Sequence, residues 1–362
     1  MIYLDANATE PVRPEAVAAA MAALAVPGNP ASVHAAGRAA RRVLEEAREG
    51  LAARFGAEPA NLVFTSGGTE ADALAIHALG RGRRCIVGAT EHDAVRVAAP
   101  EAESLPVDGN GIADAEALRR MLAAGPPALV CLMLANNETG GIQPIAVVAA
   151  LCRAADALLH VDAVQAAGRI PVDLAALGAD SLALSGHKLG GPMGAGALLL
   201  GRRAAGVLTP LIAGGGQERG RRGGTPPLPA IAGFAAAAAA AEGADRLAPL
   251  RDRIEQEAAA AGAVVVGAGA PRLGNTTCLA LPGVPAQTQV IALDLAGVQV
   301  SAGAACSSGK VARSHVLDAM GLGALAGEAI RVSLPWSAEE AEVADFIRAY
   351  RAVAARVSRT AA

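Results

Sequence analysis

The sequence holds only two lysines, Lys188 and Lys310, among 31 basic residues, so almost every other positive charge is an arginine. A lysine kept in such a background can supply a deprotonatable amine, which forms a Schiff base with a carbonyl group as arginine cannot. Lys188 follows Ser-Gly-His at 185–187, directly after an apolar run that predicts a strand. Ligands of α/β proteins bind at strand ends, so Lys188 is a candidate Schiff-base lysine, with Ser185 and His187 turned toward an anion. A surface lysine in a glycine-rich turn explains this tetrapeptide about as well.

A carboxylate and an amide follow the preceding apolar run. Asp162 stands at the predicted carboxyl end of that strand, and Gln165 comes one helical turn later. A carboxylate at this place can keep a pyridinium nitrogen protonated, which makes pyridoxal phosphate an electron sink. Taken alone, Asp162 is better explained as the N-cap of the next helix.

Polar clusters also follow earlier predicted strands. Gly68 and Thr69 open a helix where free N–H groups favour a phosphate, but the spacing is not that of a nucleotide-binding loop. His92 could stack on a planar cofactor or relay a proton, and Asn137 could bind a ring oxygen. A capped turn, a structural histidine and an asparagine turn explain each cluster singly. Polar clusters at consecutive strand ends of one sheet nevertheless predict a single site.

Cys306 lies in the segment 301–310, which is rich in serine, alanine and glycine. Small residues predict a loop and not a packed strand, so this thiol is expected to be exposed and reactive. The other cysteines stand in apolar surroundings and are expected to be inert. Lys310 would favour the Cys306 thiolate if the loop folds back, and an incidental thiol is the alternative.

An alternation of short apolar strands and helices between residues 60 and 210 positions these candidates. Apolar strands separated by helices are typical of a mostly parallel sheet covered on both faces. Beyond Gly233, an alanine-rich helix, a charged helix and short strands predict a smaller α+β domain. We expect a large domain at 15–235 and a small domain that combines 1–14 with 236–362 and carries the cysteine loop.

Composition excludes several classes of protein. The net charge of −3 argues against a generally basic nucleic-acid binder or a polybasic membrane-surface protein. The five cysteines form no CxxC pair, which disfavours a zinc site or a disulfide framework. The longest apolar stretch, around 235–241, is too short for a bilayer span, and no secretory signal pattern opens the chain. The sequence therefore predicts a cytoplasmic globular protein without a metal, a DNA partner or a membrane partner.

Together these motifs resemble those of the cysteine desulfurases, in the class V group of fold-type I pyridoxal-phosphate enzymes. The likeness extends over nearly the whole chain: it begins at 3–9, includes 28–32 and 214–220, and ends with Ile-Arg-Val-Ser at 330–333. It implies an α/β fold with a mostly parallel seven-stranded sheet in the large domain and a smaller α+β domain.

The resemblance implies a role for each candidate residue. Lys188 would bind pyridoxal 5'-phosphate covalently and move the substrate Cα proton, and Cys306 would take the sulfur. His92 would stack on the ring and transfer protons. The other implied contacts are Asp162 with the ring nitrogen, Gln165 with the ring oxygen, Gly68, Thr69, Ser185 and His187 with the phosphate, Thr225 with that phosphate from a neighbouring subunit, and Asn137 and Arg331 with the substrate carboxylate and a nearby cofactor oxygen.

The implied reaction converts L-cysteine to L-alanine and leaves a persulfide on Cys306, which passes sulfur to an acceptor protein in iron–sulfur cluster assembly or thiolation. The active form would be a homodimer, because Thr225 crosses between subunits. A selenocysteine lyase, a sulfinate lyase or an aminotransferase of the same fold is the alternative, and a non-enzymatic scaffold is a further one. Some positions depart from the usual family pattern: Glu10 replaces threonine, Ala73 a frequent asparagine and Met193 a frequent lysine.

Overall fold

The computed structural model describes residues 1–303 and 313–360, which form a seven-stranded sheet, a smaller four-stranded sheet and a two-stranded pair. In chain order, the strands of these residues are β1 (Ile2–Tyr3), β2 (Leu62–Thr65), β3 (Arg84–Gly88), β4 (Glu103–Leu105), β5 (Ala128–Met133), β6 (Leu158–Asp162), β7 (Ser181–Ser185), β8 (Gly196–Leu200), β9 (Val264–Val266), β10 (Thr276–Ala280), β11 (Val298–Gln299), β12 (Ser301–Ala302) and β13 (Ala329–Ser333). The α-helices are α1 (Pro14–Leu24), α2 (Ala35–Arg54), α3 (Gly68–Leu79), α4 (Asp93–Ala98), α5 (Ala115–Ala123), α6 (Ile145–Ala154), α7 (Leu174–Leu177), α8 (Leu228–Ala240), α9 (Ala248–Ala260), α10 (Ala286–Leu295), α11 (His315–Ala319) and α12 (Glu340–Thr360).

The large sheet has the strand order β2-β8-β7-β6-β5-β3-β4. Strand β8 is antiparallel to both of its neighbours, and the other neighbouring strands are parallel. Strands β5 to β8 are buried along their whole length, as expected where both faces of a sheet are covered. The mostly parallel, seven-stranded sheet implied by the sequence is therefore confirmed. Strand β4 cannot be predicted from an apolar run in the sequence, because two of its three residues are exposed.

Helices cover both faces of this sheet because each helix presents an apolar stripe. In α2, Ala40, Leu44 and Leu51 recur at helical spacing and are buried. Alternate residues of β2 divide between two apolar clusters: Phe64 packs on the side of α2, and Val63 packs on the side of α3. Among the described helices, none is both long enough and apolar enough to cross a bilayer.

The first residues of the chain pair with its C-terminal part. The smaller sheet is antiparallel, with the order β12-β13-β10-β9. Ile2 of β1 pairs in parallel with Val298 of β11, and Asp5 forms a bridge with Ser333 at the end of β13. The N-terminal segment thus runs from the smaller sheet toward the large one. The domain boundaries given above stay a prediction.

A buried ion pair joins the 214–224 loop to the large sheet. Arg48 of α2 donates from Nη1 and Nη2 to the two carboxylate oxygens of Glu218, in both cases at 2.8 Å. Glu218 Oε2 also accepts a hydrogen bond from the Phe64 N–H at 2.9 Å. Glu218 adopts a φ of +47°, a strained conformation that these bonds hold in place.

Replacing Glu218 by glutamine should lower the free energy of unfolding by about 3 kcal/mol, because the buried Arg48 cation would lose its buried counter-charge and keep only the more exposed Glu45, 3.1 Å from its Nε. Urea denaturation measures this difference. The matched control is Glu116→Gln, which breaks an ion pair with Arg119 whose side chains are 65% and 62% exposed. The control should change the same free energy by less than about 0.5 kcal/mol. Equal losses in the two variants would contradict the assignment of Glu218 to the core.

Candidate active site

The carboxyl ends of β2, β3, β5, β6 and β7 meet at one edge of the large sheet, where a cavity of about 160 Å³ opens. Polar residues that directly follow these strands become neighbours there, although they are far apart in the sequence. The lining residues that the sequence analysis named are Gly68, Thr69, His92, Asn137, Asp162, Gln165, Ser185, His187 and Lys188. Asp72 also lines the cavity and was not among the predicted residues.

Lys188 ends a short 3-10 turn that directly follows β7. Its Nζ donates to the backbone oxygens of Asn7 at 2.6 Å and of Ala8 at 2.9 Å. Burial, followed by the positive charges of Arg331 and Arg169, lowers the pKa of Lys188 to about 8. A large fraction of this amine is therefore neutral, and nucleophilic, slightly above neutral pH.

Asp162 is a buried carboxylate at the end of β6. Its Oδ1 accepts a hydrogen bond from the Val164 N–H at 2.8 Å. Burial, and after it the negative charge of Asp72, raises the pKa of Asp162 to about 7. A cation bound beside Asp162 would favour its charged form, so this carboxylate is suited to a protonated ring nitrogen.

His92 lies at the N-terminus of α4 and lines the same cavity. Its Nδ1 accepts a hydrogen bond from the Ala94 N–H at 3.1 Å. In the neutral ring this contact places the proton on Nε2, which is then available as a donor. The cap holds the ring at the cavity without using its second nitrogen.

The start of α3 forms one end of the cavity and is suited to bind an anion. A Cβ at Gly68 would lie 2.6 Å from Val164 Cγ2, so only glycine fits there. The first N–H groups of this 12-residue helix favour negative charge. His187 Nδ1 shares a hydrogen bond with Thr9 Oγ1 at 2.7 Å, and burial lowers the pKa of His187 to about 4. His187 is therefore a neutral imidazole at this end, beside the hydroxyl of Ser185.

Arg331 of β13 approaches the cavity from the smaller sheet. Its Nη1 donates to the Asn137 backbone oxygen at 3.1 Å, and its Nη2 donates to Asp5 Oδ1 at 2.6 Å. Its buried Nε has no hydrogen-bond partner within residues 1–303 and 313–360. A buried donor without a partner costs about 1–3 kcal/mol, so Arg331 is suited to bind an incoming carboxylate.

Asn7 is a site residue that the sequence reasoning missed. Its backbone oxygen accepts hydrogen bonds from Lys188 Nζ at 2.6 Å and from Gln165 Nε2 at 3.0 Å. Its side-chain Nδ2 donates to the Asn137 backbone oxygen and to Thr276 Oγ1, both at 3.0 Å. A contact through a backbone carbonyl depends little on residue type, so the sequence carries no direct signal for it.

A buried polar network connects to the wall of the cavity at Asp72. His160 shares hydrogen bonds with Ser181 Oγ at 2.8 Å and with Asp72 Oδ1 at 3.1 Å. Burial lowers the pKa of His160 to about 4 and raises that of Asp72, so the histidine is neutral at pH 7. A histidine and a serine inside apolar strands were the available signal for this network.

Two predicted residues that the structure describes, Thr225 and Arg331, are not among those that line this cavity. Thr225 is exposed in the loop before α8 and does not line the cavity of its own chain. Cys306 lies outside the described residues, as does Lys310. Their roles stay predictions.

The chain is similar to proteins of one family over nearly its whole length. Residues 2–346 match the Aminotransferase class-V family. A cysteine desulfurase of Cereibacter sphaeroides is 44% identical over an aligned length of 361 positions, gaps included, and the match covers 94% of this chain and 92% of that protein. An IscS-like cysteine desulfurase of Mycobacterium tuberculosis is 38% identical over 100% of this chain and 98% of its own length. The X-ray structure of a NifS-like protein from Rickettsia africae has a TM-score of 0.90 at 32% identity, and covers 98% of this chain and 99% of its own.

The amine of Lys188 should react with an acylating reagent at a lower pH than an ordinary lysine. Because its pKa is lowered to about 8, acetylation of the cofactor-free chain, followed on the Lys188 peptide by mass spectrometry, should rise through a midpoint near pH 8. The variant Arg331→Leu should move this midpoint upward, since the charge of Arg331 lowers the pKa. A wild-type midpoint near the ordinary lysine value of 10.5 would contradict the burial of this amine.

Proposed function

Because the chain belongs to the aminotransferase class-V family, we propose that it is an L-cysteine desulfurase, which removes sulfur from L-cysteine and releases L-alanine. The observation that carries this proposal is that Lys188, Asp162 and the start of α3 line one cavity. Relatives that match more than nine-tenths of the chain are cysteine desulfurases, and they confirm the resemblance drawn from the sequence motifs.

The cavity fits pyridoxal 5'-phosphate by the chemistry of its own groups. The amine of Lys188 would hold the aldehyde carbon, the buried carboxylate of Asp162 would pair with the ring nitrogen, and His92 would stack on the ring. Gln165 is proposed to bind the ring oxygen. The phosphate would be held by Gly68, Thr69, Ser185 and His187. When bound, the cofactor supplies an electron sink for the negative charge that develops at the substrate Cα.

The residues of this chain would bind the substrate, transfer its protons and take its sulfur. Arg331 and Asn137 would hold the substrate carboxylate, for which Arg331 Nε, a donor without a partner in residues 1–303 and 313–360, is available. Lys188 would take the Cα proton and later return a proton to carbon, which requires an amine with a pKa close to the working pH. The Cys306 thiolate would attack the substrate sulfur: an S–S bond forms, and the Cβ–S bond breaks with its electron pair left on carbon. Protonation of that carbon gives L-alanine and leaves a Cys306 persulfide.

We propose that a protein acceptor then takes the outer sulfur of the persulfide, in iron–sulfur cluster assembly or in thiolation. In the absence of that protein, a small thiol can take the same sulfur as its own persulfide; a second thiol then forms a disulfide with the first and releases the sulfur as sulfide. The thiol therefore allows turnover to be measured before the acceptor is identified.

A second copy of the chain is proposed to complete the site. Thr225 is exposed and away from its own cavity, which supports a role at the phosphate end of the neighbouring subunit. Helix α1 also exposes Val17, Met21 and Leu24, which are 49%, 62% and 65% exposed and recur on one face of the helix. An exposed apolar face of this kind is suited to a subunit interface.

Alanine formation tests the function directly. With L-cysteine and a thiol reductant, the wild type should form L-alanine, whereas Lys188→Ala and Cys306→Ala should lose at least ~100-fold in rate. The matched control is Cys85→Ala, which should keep its activity because burial raises the pKa of the Cys85 thiol. Alanine formation by Cys306→Ala at the wild-type rate would favour a lyase. A cofactor-loaded wild type that forms no alanine would exclude the desulfurase.

Hybrid dimers test the role of Thr225 across subunits. Thr225→Asp should inactivate the homodimer, because the new carboxylate repels the cofactor phosphate, and Lys188→Ala should be inactive as well. Co-expression with two affinity tags yields a hybrid in which one site combines intact Lys188 with intact Thr225, so activity should return. The control hybrid of Lys188→Ala with Asp162→Ala has no intact site and should stay inactive. An inactive Thr225 hybrid would overturn the shared site.

A further inference from the structure

A buried ion pair lies behind the lysine and has no role in the mechanism above. Glu10 and Arg169 are only 4% and 5% exposed, and Glu10 Oε2 lies 3.1 Å from Arg169 Nη2. Glu10 stands where sequences with these motifs usually have threonine. Burying two charges costs so much solvation that a buried pair is weak evidence for a stabilising role. The other contacts of the two side chains therefore decide what the pair does.

Arg169 determines which way the Gln165 amide faces. Its Nη1 donates to the Gln165 backbone oxygen at 3.0 Å and also to Gln165 Oε1. Because the amide oxygen is taken by the guanidinium, the amide nitrogen faces the other way and donates to the Asn7 backbone oxygen at 3.0 Å. Gln165 therefore enters the cavity side as a hydrogen-bond donor, which is the polarity that a ring oxygen requires.

The segment 6–10 connects the same pair to Lys188. Arg169 Nη2 donates to the Ala6 backbone oxygen at 3.3 Å, and the next carbonyl along the chain, that of Asn7, accepts from Lys188 Nζ at 2.6 Å. At the other end of the segment 6–10, the Glu10 backbone N–H donates to the His187 backbone oxygen at 3.0 Å. The Glu10 side-chain Oε1 accepts a hydrogen bond from the backbone N–H of Trp336 at 2.6 Å. Glu10, Arg169 and Lys188 also share the wall of a second, smaller cavity of about 20 Å³.

We propose that Glu10 and Arg169 act as a pair of positioning residues for Lys188: Arg169 orients the Gln165 amide and the carbonyls of the segment 6–10, and Glu10 offsets part of the guanidinium charge that acts on the lysine. This inference rests on the proposed function, because it assigns the pair to the lysine that would hold the cofactor. It gives the departure at Glu10 a physical reason: a buried arginine beside a buried lysine requires a carboxylate.

The charges around Lys188 give the direction of the effect. Arg331 and Arg169 lower its pKa, and Asp5 and Asp162 raise it. His187, the neighbouring titratable side chain, is neutral near pH 7 because burial lowers its pKa to about 4. Loss of the Glu10 charge leaves the Arg169 charge uncompensated and disfavours the protonated form at Lys188. Loss of both charges removes the two opposing effects together.

A charge cycle on the cofactor-loaded enzyme tests the proposal. The readout is the pH midpoint of the change in visible absorbance of the lysine-bound cofactor, which is independent of turnover. Glu10→Gln keeps an acceptor for the Trp336 N–H and should lower this midpoint by about one pH unit. Arg169→Gln should raise it, and the double variant should give a midpoint between those of the two single variants. No shift in Glu10→Gln, or an equal shift in the double variant, would overturn the proposal.

The matched control is Glu255→Gln, which breaks another largely buried pair, in which Arg272 Nη2 lies 2.8 Å from Glu255 Oε2. It should leave the midpoint unchanged, and a shift equal to that of Glu10→Gln would overturn the proposal. If Glu10→Gln does not fold, Glu10→Thr removes the same charge and should lower the midpoint in the same direction.

The test also separates this inference from the proposed function. A wild-type chain that develops no visible absorbance with pyridoxal 5'-phosphate would overturn the proposed function. The same variants can then be compared by the pH dependence of Lys188 acetylation in the cofactor-free chain. Unshifted acetylation midpoints would overturn the pair's effect on Lys188, and shifted midpoints would support it without the cofactor.

Discussion

The interaction on which the site depends is the burial of the Lys188 amine between backbone carbonyls and other charges. In a medium of low dielectric constant, each nearby charge acts on this amine far more strongly than it would in water. The amine has two guanidinium groups and two carboxylates among the charges that act on it, and their balance lowers its pKa to about 8. The strand ends, the N-terminal segment and the smaller sheet all supply groups to this balance. Their positions are therefore mutually constrained.

The N-terminal segment forms hydrogen bonds with residues of both the large and the smaller sheet. Asp5 pairs with Arg331 of the smaller sheet, whereas the Asn7 carbonyl accepts from Lys188 and from Gln165 at the edge of the large sheet. A few consecutive residues thus satisfy donors from both halves of the molecule. Backbone carbonyls do this at little cost in side-chain entropy, since their positions are set once the segment is ordered. A displacement of one sheet relative to the other would break several of these bonds together.

Local hydrogen bonds hold Asp162 and His92 at the cavity. Asp162 Oδ1 accepts a hydrogen bond from the Val164 N–H, and His92 Nδ1 caps α4 through the Ala94 N–H. The expectation that Asp162 caps the next helix is wrong, because its contact closes a turn and the next helix, α7, begins only at Leu174. Each contact leaves other polar atoms of the side chain for the cavity, so a structural role is compatible with the proposed catalytic role.

The sequence alone determined most strands of the large sheet and the polar clusters at their ends, because these depend on residue type, local periodicity and turn chemistry; the mostly exposed strand β4 carried no such signal. It thereby predicted nine of the residues that line the cavity, but not Asp72. Only the tertiary structure decided that Glu10 meets Arg169, 159 positions along the chain, and that the Asn7 carbonyl binds Lys188. The physical reason is that charge balance and hydrogen-bond satisfaction in a buried site depend on which groups lose water together. That grouping follows from how the segments pack, and no local pattern in the chain encodes it.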